Sequence, residues 1–285
     1  MIITSKKPIR VKSETTSWMV VGDVHGQWDA YRKLLDIMGK TASGPTRNLI
    51  TLGDLVDKGP NSIQCIKATL GEEAKDRSGA SKHFRFWGNH EIMMVEAIRS
   101  LGMDDFEDRM RVWRGSGVDG FLDEAGEGGG DRERVARLID KIGIKNLAKF
   151  TSWHKMMEVD GLRFTHAGYC PDVGWTETSR LTPEDLWKKN SSGHYTKHLL
   201  HWASIRKPFL DYHGRTGSPV VFHGHSIPSR LYKKSIKSKN DVFYTFSKLH
   251  SHNRICLDGG AGKNKGITGC LVENGKYRLF YSPVK

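Results

Sequence analysis

Hydrophobic positions along the chain come in short runs that stop abruptly at small or polar residues. The run at 18–21 ends in Gly22 and Asp23, that at 49–52 in Gly53 and Asp54, and that at 84–87 in Gly88 and Asn89. Brief apolar runs bounded in this way predict buried β-strands that open into polar loops. After each run the rhythm changes. Segments 28–38, 62–74 and 91–101 carry apolar residues at intervals of three and four, the spacing that lines one face of an α-helix. Strand, loop and helix in alternation predict a layered α/β fold. Further strands are expected at 161–166, 219–223 and 254–258, and the Asn274-Gly275 pair between two alternating runs predicts a closing β-hairpin. From 101 to 150 the pattern turns helical and charged, broken by a glycine-rich stretch at 127–130, and reads as a helical cap or insert beside the core. With no internal repeat and no long linker, one domain over residues 1–285 is expected.

A chain of this length can bury a sizeable core, which excludes a disulfide miniprotein, a collagen-like repeat and wholesale disorder. Forty-five Lys and Arg against 32 Asp and Glu give a net charge of +13, which attracts phosphoryl groups, nucleotides or RNA, although an excess of this kind also serves solubility alone. Basic clusters at Lys6, Lys7, Arg10 and Lys12, and at Arg230, Lys233, Lys234, Lys237 and Lys239, could guide an acidic partner or be solvated faces. Cys65, Cys170, Cys256 and Cys270 form no Cys-x-x-Cys pair and read as reduced thiols. Together with the absence of a signal-peptide-like stretch and of any apolar run near 18 residues, this predicts a cytoplasmic protein that does not enter the membrane.

The chemistry gathers where strands are expected to stop: Asp23 and His25, then Asp54, Asp57 and Lys58, then Asn89, His90 and Glu91, then His166, and lastly His223 and His225. Loops at the carboxyl ends of strands converge on ligands, so these five loops could share one pocket. Carboxylate, amide oxygen and imidazole without thiolate suit manganese, iron, zinc or cobalt, not calcium or a structural zinc. Two aspartates facing two divalent ions leave a site of about +2, which draws in a phosphate dianion and keeps positions open for water. A lone Asp-x-His is a weak signal, because a buried histidine is more often a core residue. Five such loops in order are not.

The series Gly-Asp-x-His-Gly, Gly-Asp-x-Val-Asp-Lys-Gly and Gly-Asn-His-Glu, followed by two later histidines, resembles the phosphoprotein phosphatase superfamily of calcineurin-like metallophosphoesterases. Serine/threonine protein phosphatases of bacteria and phages and symmetrical diadenosine tetraphosphatases carry similar motifs. The resemblance runs from about Trp18 to the C-terminal hairpin and implies a central β-sandwich flanked by helices, with two divalent metal ions at the strand ends. Manganese is the first expectation, with iron, zinc, cobalt or nickel as alternatives. Position by position it implies that Asp23 and His25 bind one metal, that Asp54 bridges, and that Asn89, His166 and His225 bind the other. His90 would be the general acid for the leaving oxygen and Asp57 the carboxylate that orients it, although Asp57 could also cap the helix after Pro60. The family's Gly-His-Thr places the last ligand at His225, leaving His223 in the core or behind the ligands. Ile227 stands where the phosphodiesterases of the superfamily have a further histidine.

Two positions depart from the pattern. Lys58 replaces the usual arginine, so a bidentate clamp on phosphate becomes a point charge. Trp87 precedes Gly-Asn-His-Glu where many protein phosphatases carry a second arginine; it could fill the sheet or stack on a base. Arg114, Arg163 or Arg230 could supply a substitute cation. The leading expectation is therefore a metal-dependent phosphomonoesterase that acts on phosphoserine, phosphothreonine or phosphotyrosine through hydroxide generated at a dinuclear site. The alternative is a hydrolase of dinucleoside polyphosphates or capped RNA ends, and a third class is a phosphate- or RNA-binding module without catalysis.

Overall fold

The computed structural model describes residues 2–4, 15–189, 195–197, 201–210, 219–227 and 253–284, so both basic clusters lie outside the described residues. Strands β1 (Ile2–Thr4), β2 (Thr16–Val21), β3 (Thr46–Thr51), β4 (Lys82–Arg85), β11 (Gly266–Glu273) and β12 (Lys276–Pro283) form a six-stranded sheet in the order β1-β12-β11-β2-β3-β4. One end is parallel, β2 with β3 and β3 with the edge strand β4, and the closing hairpin joins antiparallel to β2. A second sheet has the order β10-β9-β6-β5, from β5 (Met156–Val159), β6 (Leu162–Thr165), β9 (Val220–His223) and β10 (Arg254–Cys256). A short ribbon pairs β7 (Trp187–Lys189) with β8 (Tyr195–Lys197).

The twofold alternation of a strand explains how the layers stack. Trp18 and Val20 of β2 and Ile50 of β3 point into an apolar cluster with Leu162, Phe164, Phe222 and Ile255 of the second sheet, so the two sheets face each other as the expected sandwich. Met19, Val21 and Leu49 point the other way, against Leu34, Leu35 and Met38 of helix α1 (Trp28–Thr41) and Ile92 and Met93 of α4 (Asn89–Arg99). Both faces of the first sheet are thus dry at β2 and the end of β3, which is why these strands read as short apolar runs.

The helix expected at 62–74 is divided: Gly71 ends α2 (Ser62–Leu70) and α3 (Glu73–Ser78) follows. The third helix starts two residues earlier than its apolar rhythm suggests, so Asn89 and His90 sit in the first turn of α4. Strand β5 has no counterpart in the expectations; it is hairpinned to β6 through Asp160 and Gly161, both with positive φ, 55° and 76°. The expected hairpin turn at Asn274 and Gly275 has the same character, φ 51° and 65°. Residues 101–150 form α5 (Phe106–Arg114), α6 (Asp119–Asp123), α7 (Asp131–Ile142) and α8 (Ile144–Ala148). Phe106, Trp113, Phe121 and Leu138 from this segment join the apolar cluster on the outer face of the first sheet. Among the described residues no helix is long and apolar enough to cross a membrane.

Candidate active site

The polar residues at the strand ends are folded against one another by glycines that leave no room for a side chain. A Cβ on Gly88 would lie 2.2 Å from Asp54 Oδ1, and one on Gly224 would lie 2.0 Å from Asp23 Oδ1. The loops also use backbone conformations that L-residues disfavour: His25, Asp54, Asp57, Lys58 and His225 all have φ between 47° and 71°. They are tied together by main-chain bonds. The Asp54 carbonyl accepts from Val24 and His25 N–H, and the buried Glu91 carboxylate accepts from Asp54, Leu55 and Gly88 N–H at 2.8, 2.6 and 2.9 Å. Glu91 thus locks the first turn of α4 onto the β3 loop.

Asp54 is the centre of the cluster. Its Oδ1 lies 3.3 Å from His166 Nε2, and its Oδ2 lies 3.6 Å from His25 Nε2 and 3.8 Å from His90 Nε2. Two groups of donors, each within 4.8 Å, result: His25, Asp54 and His90, and Asp54, His166 and His225. Asn89 Oδ1 adjoins the second, 3.3 Å from His166 Nε2. Asp23 stands slightly apart, 3.9 Å from His25 Nε2, with its oxygens 3.0 and 3.1 Å from the His225 N–H. In both His25 and His166 the inner nitrogen faces a main-chain carbonyl, Val56 at 2.9 Å and Leu52 at 2.8 Å, so Nδ1–H donates there and Nε2 is left to face the cluster. Every residue expected to hold a metal is therefore in one buried place, and His90 lies among them.

The electrostatics describe a site short of positive charge. Burial, then the charges of Asp258 and Asp54, push the Asp23 carboxyl well above its ordinary range. Burial alone would do the same to Asp54, but His166, His90 and His25 hold it well below. His166, which burial would lower, is pushed up to about 9 by the Asp54 carboxylate, and burial with the nearby Lys58 brings His25 down to about 4. Asp23, Asp54 and Asp258 are three carboxylates buried together, and an added cation would favour the ionised form of each. Oxygen and imidazole donors with no thiolate, in two groups sharing one carboxylate, fit divalent metal ions.

His90 Nδ1 is 2.5 Å from Asp57 Oδ2, while its Nε2 faces the cavity and lies 3.2 Å from Lys58 Nζ. Asp57 is fully buried and does not cap α2, whose N-terminal flank is Asn61. The cavity in front of the cluster has a volume of about 300 Å³ and is lined by Lys58, Arg206 and Lys263 as well as by the carboxylates and imidazoles. Arg206 Nε donates to His225 Nε2 at 3.1 Å. It was not among the arginines proposed from sequence: Arg114 pairs with Asp119 and Asp131, and Arg163 pairs with Glu158 and covers Trp175, so neither lines the cavity. Arg230 lies outside the described residues. Asp258 was also missed, although Leu257-Asp258-Gly259 repeats the strand-to-Asp-Gly signal of the first loops. Trp87 fills the core against Phe150 and Trp153, with ring centroids 5.6 and 6.0 Å away, and His223 is buried behind the donors, its Nδ1 3.1 Å from the Gly224 carbonyl.

The family model for calcineurin-like phosphoesterases matches residues 17–229. The chain belongs to the calcineurin-like phosphoesterase family. As a member of it the protein is a hydrolase of the metallophosphoesterase class. A zinc-dependent endopolyphosphatase of Saccharomyces cerevisiae is 24% identical over 79% of this phosphoesterase and 71% of its own length. A symmetrical bis(5'-nucleosyl)-tetraphosphatase of Delftia acidovorans is 27% identical over 58% of the chain, which spans 48% of that relative. Among solved structures, one assigned as a diadenosine tetraphosphatase superposes on the phosphoesterase with a TM-score of 0.50 at 16% identity, covering 96% of this chain and 97% of the other, a likeness of fold.

Proposed function

We propose that the protein hydrolyses phosphate monoesters with two divalent metal ions, manganese first among them, and that phosphoserine or phosphothreonine in proteins is its substrate. The observation that carries this reading is the His90–Asp57 pair, set at 2.5 Å with the other imidazole nitrogen facing the carboxylate–histidine cluster. Asp23, His25, Asp54, Asn89, His166 and His225 are the residues that would hold the metals. Bound there, such ions supply Lewis-acid polarisation of the phosphoryl group and an activated water for in-line attack. The chain's own groups do the rest. Lys58 and Arg206 bind phosphoryl oxygens, the arginine in the two-pronged manner that the lysine lacks. His90, held by Asp57 at Nδ1, delivers a proton from Nε2 to the departing oxygen, so that an alkoxide need not leave. Four buried, unpaired cysteines support a reducing, cytoplasmic setting, and the apolar cluster shared by residues 101–150 and the first sheet supports reading 1–285 as one domain.

A second reading is favoured by the cavity wall. Lys58, Arg206 and Lys263 place three cations around it, and none of its described lining residues is a Phe, Tyr or Trp. That suits a chain of phosphates, as in dinucleoside polyphosphates, capped RNA ends or polyphosphate, more than it suits a stacked base. One comparison decides: the manganese-loaded protein is offered a phosphoserine peptide, diadenosine tetraphosphate, capped RNA, long-chain polyphosphate and a phosphodiester. Phosphate release from the peptide above all others supports the monoester reading. Preference for the anhydrides replaces it with the second, and turnover of none by metal-loaded protein defeats both.

A further inference from the structure

The charged segment that follows α4 adds nothing to the metal-donor groups, yet it grips the loop that carries Asp57 and Lys58. From α5, the indole Nε1–H of Trp113 donates to Asp57 Oδ2 at 2.9 Å. The Gly117 carbonyl accepts the Lys58 N–H at 3.0 Å. Just past α6, the Glu124 carboxylate accepts the N–H groups of Ser62 and Ile63 at 2.5 and 3.0 Å and so closes the start of α2. The gripped loop is one that needs holding, since Asp57 and Lys58 have φ of 71° and 68°.

We propose that this helical segment is a brace that holds the His90–Asp57 pair in line for proton transfer, with Trp113 as the positioning residue. The proposal rests on the reading in which His90 is the proton donor. A carboxylate held by a single hydrogen bond can turn about its Cβ–Cγ bond and offer either oxygen. In Asp57 two donors, His90 Nδ1 and Trp113 Nε1, converge on Oδ2, and Oδ1 has no hydrogen-bond partner among the described residues. The indole therefore selects which oxygen meets the imidazole. It suits the task, because a tryptophan offers one donor on a rigid ring, and this one is fully buried with Phe121 edge-on at 5.9 Å. Burial pushes the Asp57 carboxyl up, and the Trp113 hydrogen bond is the strongest influence against that, so it also favours the ionised acceptor. A buried indole that merely satisfies its N–H would be content with a main-chain carbonyl, as Trp202 is with Leu181.

The test compares the metal-loaded full-length protein with Trp113→Phe, which removes the donor, and Phe121→Leu, which disturbs the same packing without touching Asp57. Each is assayed on an alkyl phosphate, whose leaving oxygen needs a proton, and on p-nitrophenyl phosphate, whose leaving group does not. Trp113→Phe is expected to lower kcat on the alkyl ester roughly tenfold, with KM and the p-nitrophenyl rate within about twofold of wild type. Phe121→Leu should leave the ratio of the two rates unchanged, and Trp113→Phe should add nothing to Asp57→Asn. In substrate-free protein the Trp113 indole N–H resonance, identified by its loss in Trp113→Phe, should shift in Asp57→Asn. Equal losses on both esters, losses that multiply with Asp57→Asn, or an unmoved indole resonance would each overturn the brace. Wild-type protein that turns over neither ester defeats the monoester reading instead, and the indole resonance then decides whether Trp113 holds Asp57.

Discussion

Gly224→Ala tests the close packing of the site most directly, because the glycine has no unusual φ and only space is at stake. The new Cβ would lie 2.0 Å from Asp23 Oδ1. An ordinary carbon–oxygen contact needs about 3.4 Å, so something must move by roughly 1.4 Å. The Asp23 carboxylate cannot retreat freely, being buried and held through both oxygens by the His225 N–H at 3.0 and 3.1 Å. Overpacking combined with loss of that hydrogen bond costs about 3 kcal/mol, which for a chain of this size lowers the unfolding midpoint by about 5 °C. Metal ligation tolerates only about 0.2 Å, so displacement of this size should also weaken metal binding by roughly 100-fold. Calorimetric unfolding of metal-free protein and titration with manganese read the two effects separately. Gly115→Ala, whose Cβ would meet nothing nearer than 3.5 Å on the rim of the same cavity, is the control. A Gly224→Ala protein that melts within about 1 °C of wild type and binds manganese with the same affinity would refute the reasoning.

Three other outcomes are expected. His90→Asn should lower kcat by roughly 10²–10⁴-fold with metal content intact by elemental analysis; loss of metal would instead make His90 a ligand, as its place beside His25 and Asp54 allows. Arg206→Ala should raise KM for a phosphorylated substrate roughly tenfold, and Arg206→Lys should restore only part of it; an unchanged KM would remove Arg206 from the substrate site. In metal-free protein the buried histidines should contribute to stability in opposite senses on the two sides of pH 6.5. Burial lowers His223 to about 3 and His25 to about 4, so below the ordinary histidine value near 6.5 the unfolded chain binds more protons and stability falls with acid by up to about 1.4 kcal/mol per pH unit per group. His166, raised to about 9, acts in the opposite sense and its contribution is lost between pH 6.5 and 9. Denaturant unfolding of His223→Gln should flatten the acid limb alone; an unchanged acid limb would count against a neutral buried His223.

The parts of the fold that were readable in advance share a property: their signals are local. Gly-Asp at the end of an apolar run marks a strand and its loop within a few residues, and Asn274-Gly275 marks its own turn. Asp160-Gly161 is the same kind of turn signal, but the partly buried β5 before it lacks the clean alternation that marks a strand. The site residues at the motif loops were legible for the same local reason, because glycines flank them. Arg206 and Trp113 carry no such punctuation. They reach the cavity or Asp57 only through long-range packing, with Trp113 56 residues from its partner. Trp87 illustrates the converse, a residue adjacent to a motif whose neighbours are decided by the core cluster behind the sheet.

The left-handed backbone at His25, Asp54, Asp57, Lys58 and His225 has a consequence for how the protein fails under heat or mild denaturant. Each such residue stores about 1–2 kcal/mol that is released when its loop opens, whereas the sandwich interior gains nothing by opening. The order of events on warming is therefore set: the loops relax as a local unit while Phe164 and Phe222 remain stacked at 5.3 Å between the sheets. Inactivation then precedes melting, and an assay of function reports a lower apparent midpoint than one of secondary structure.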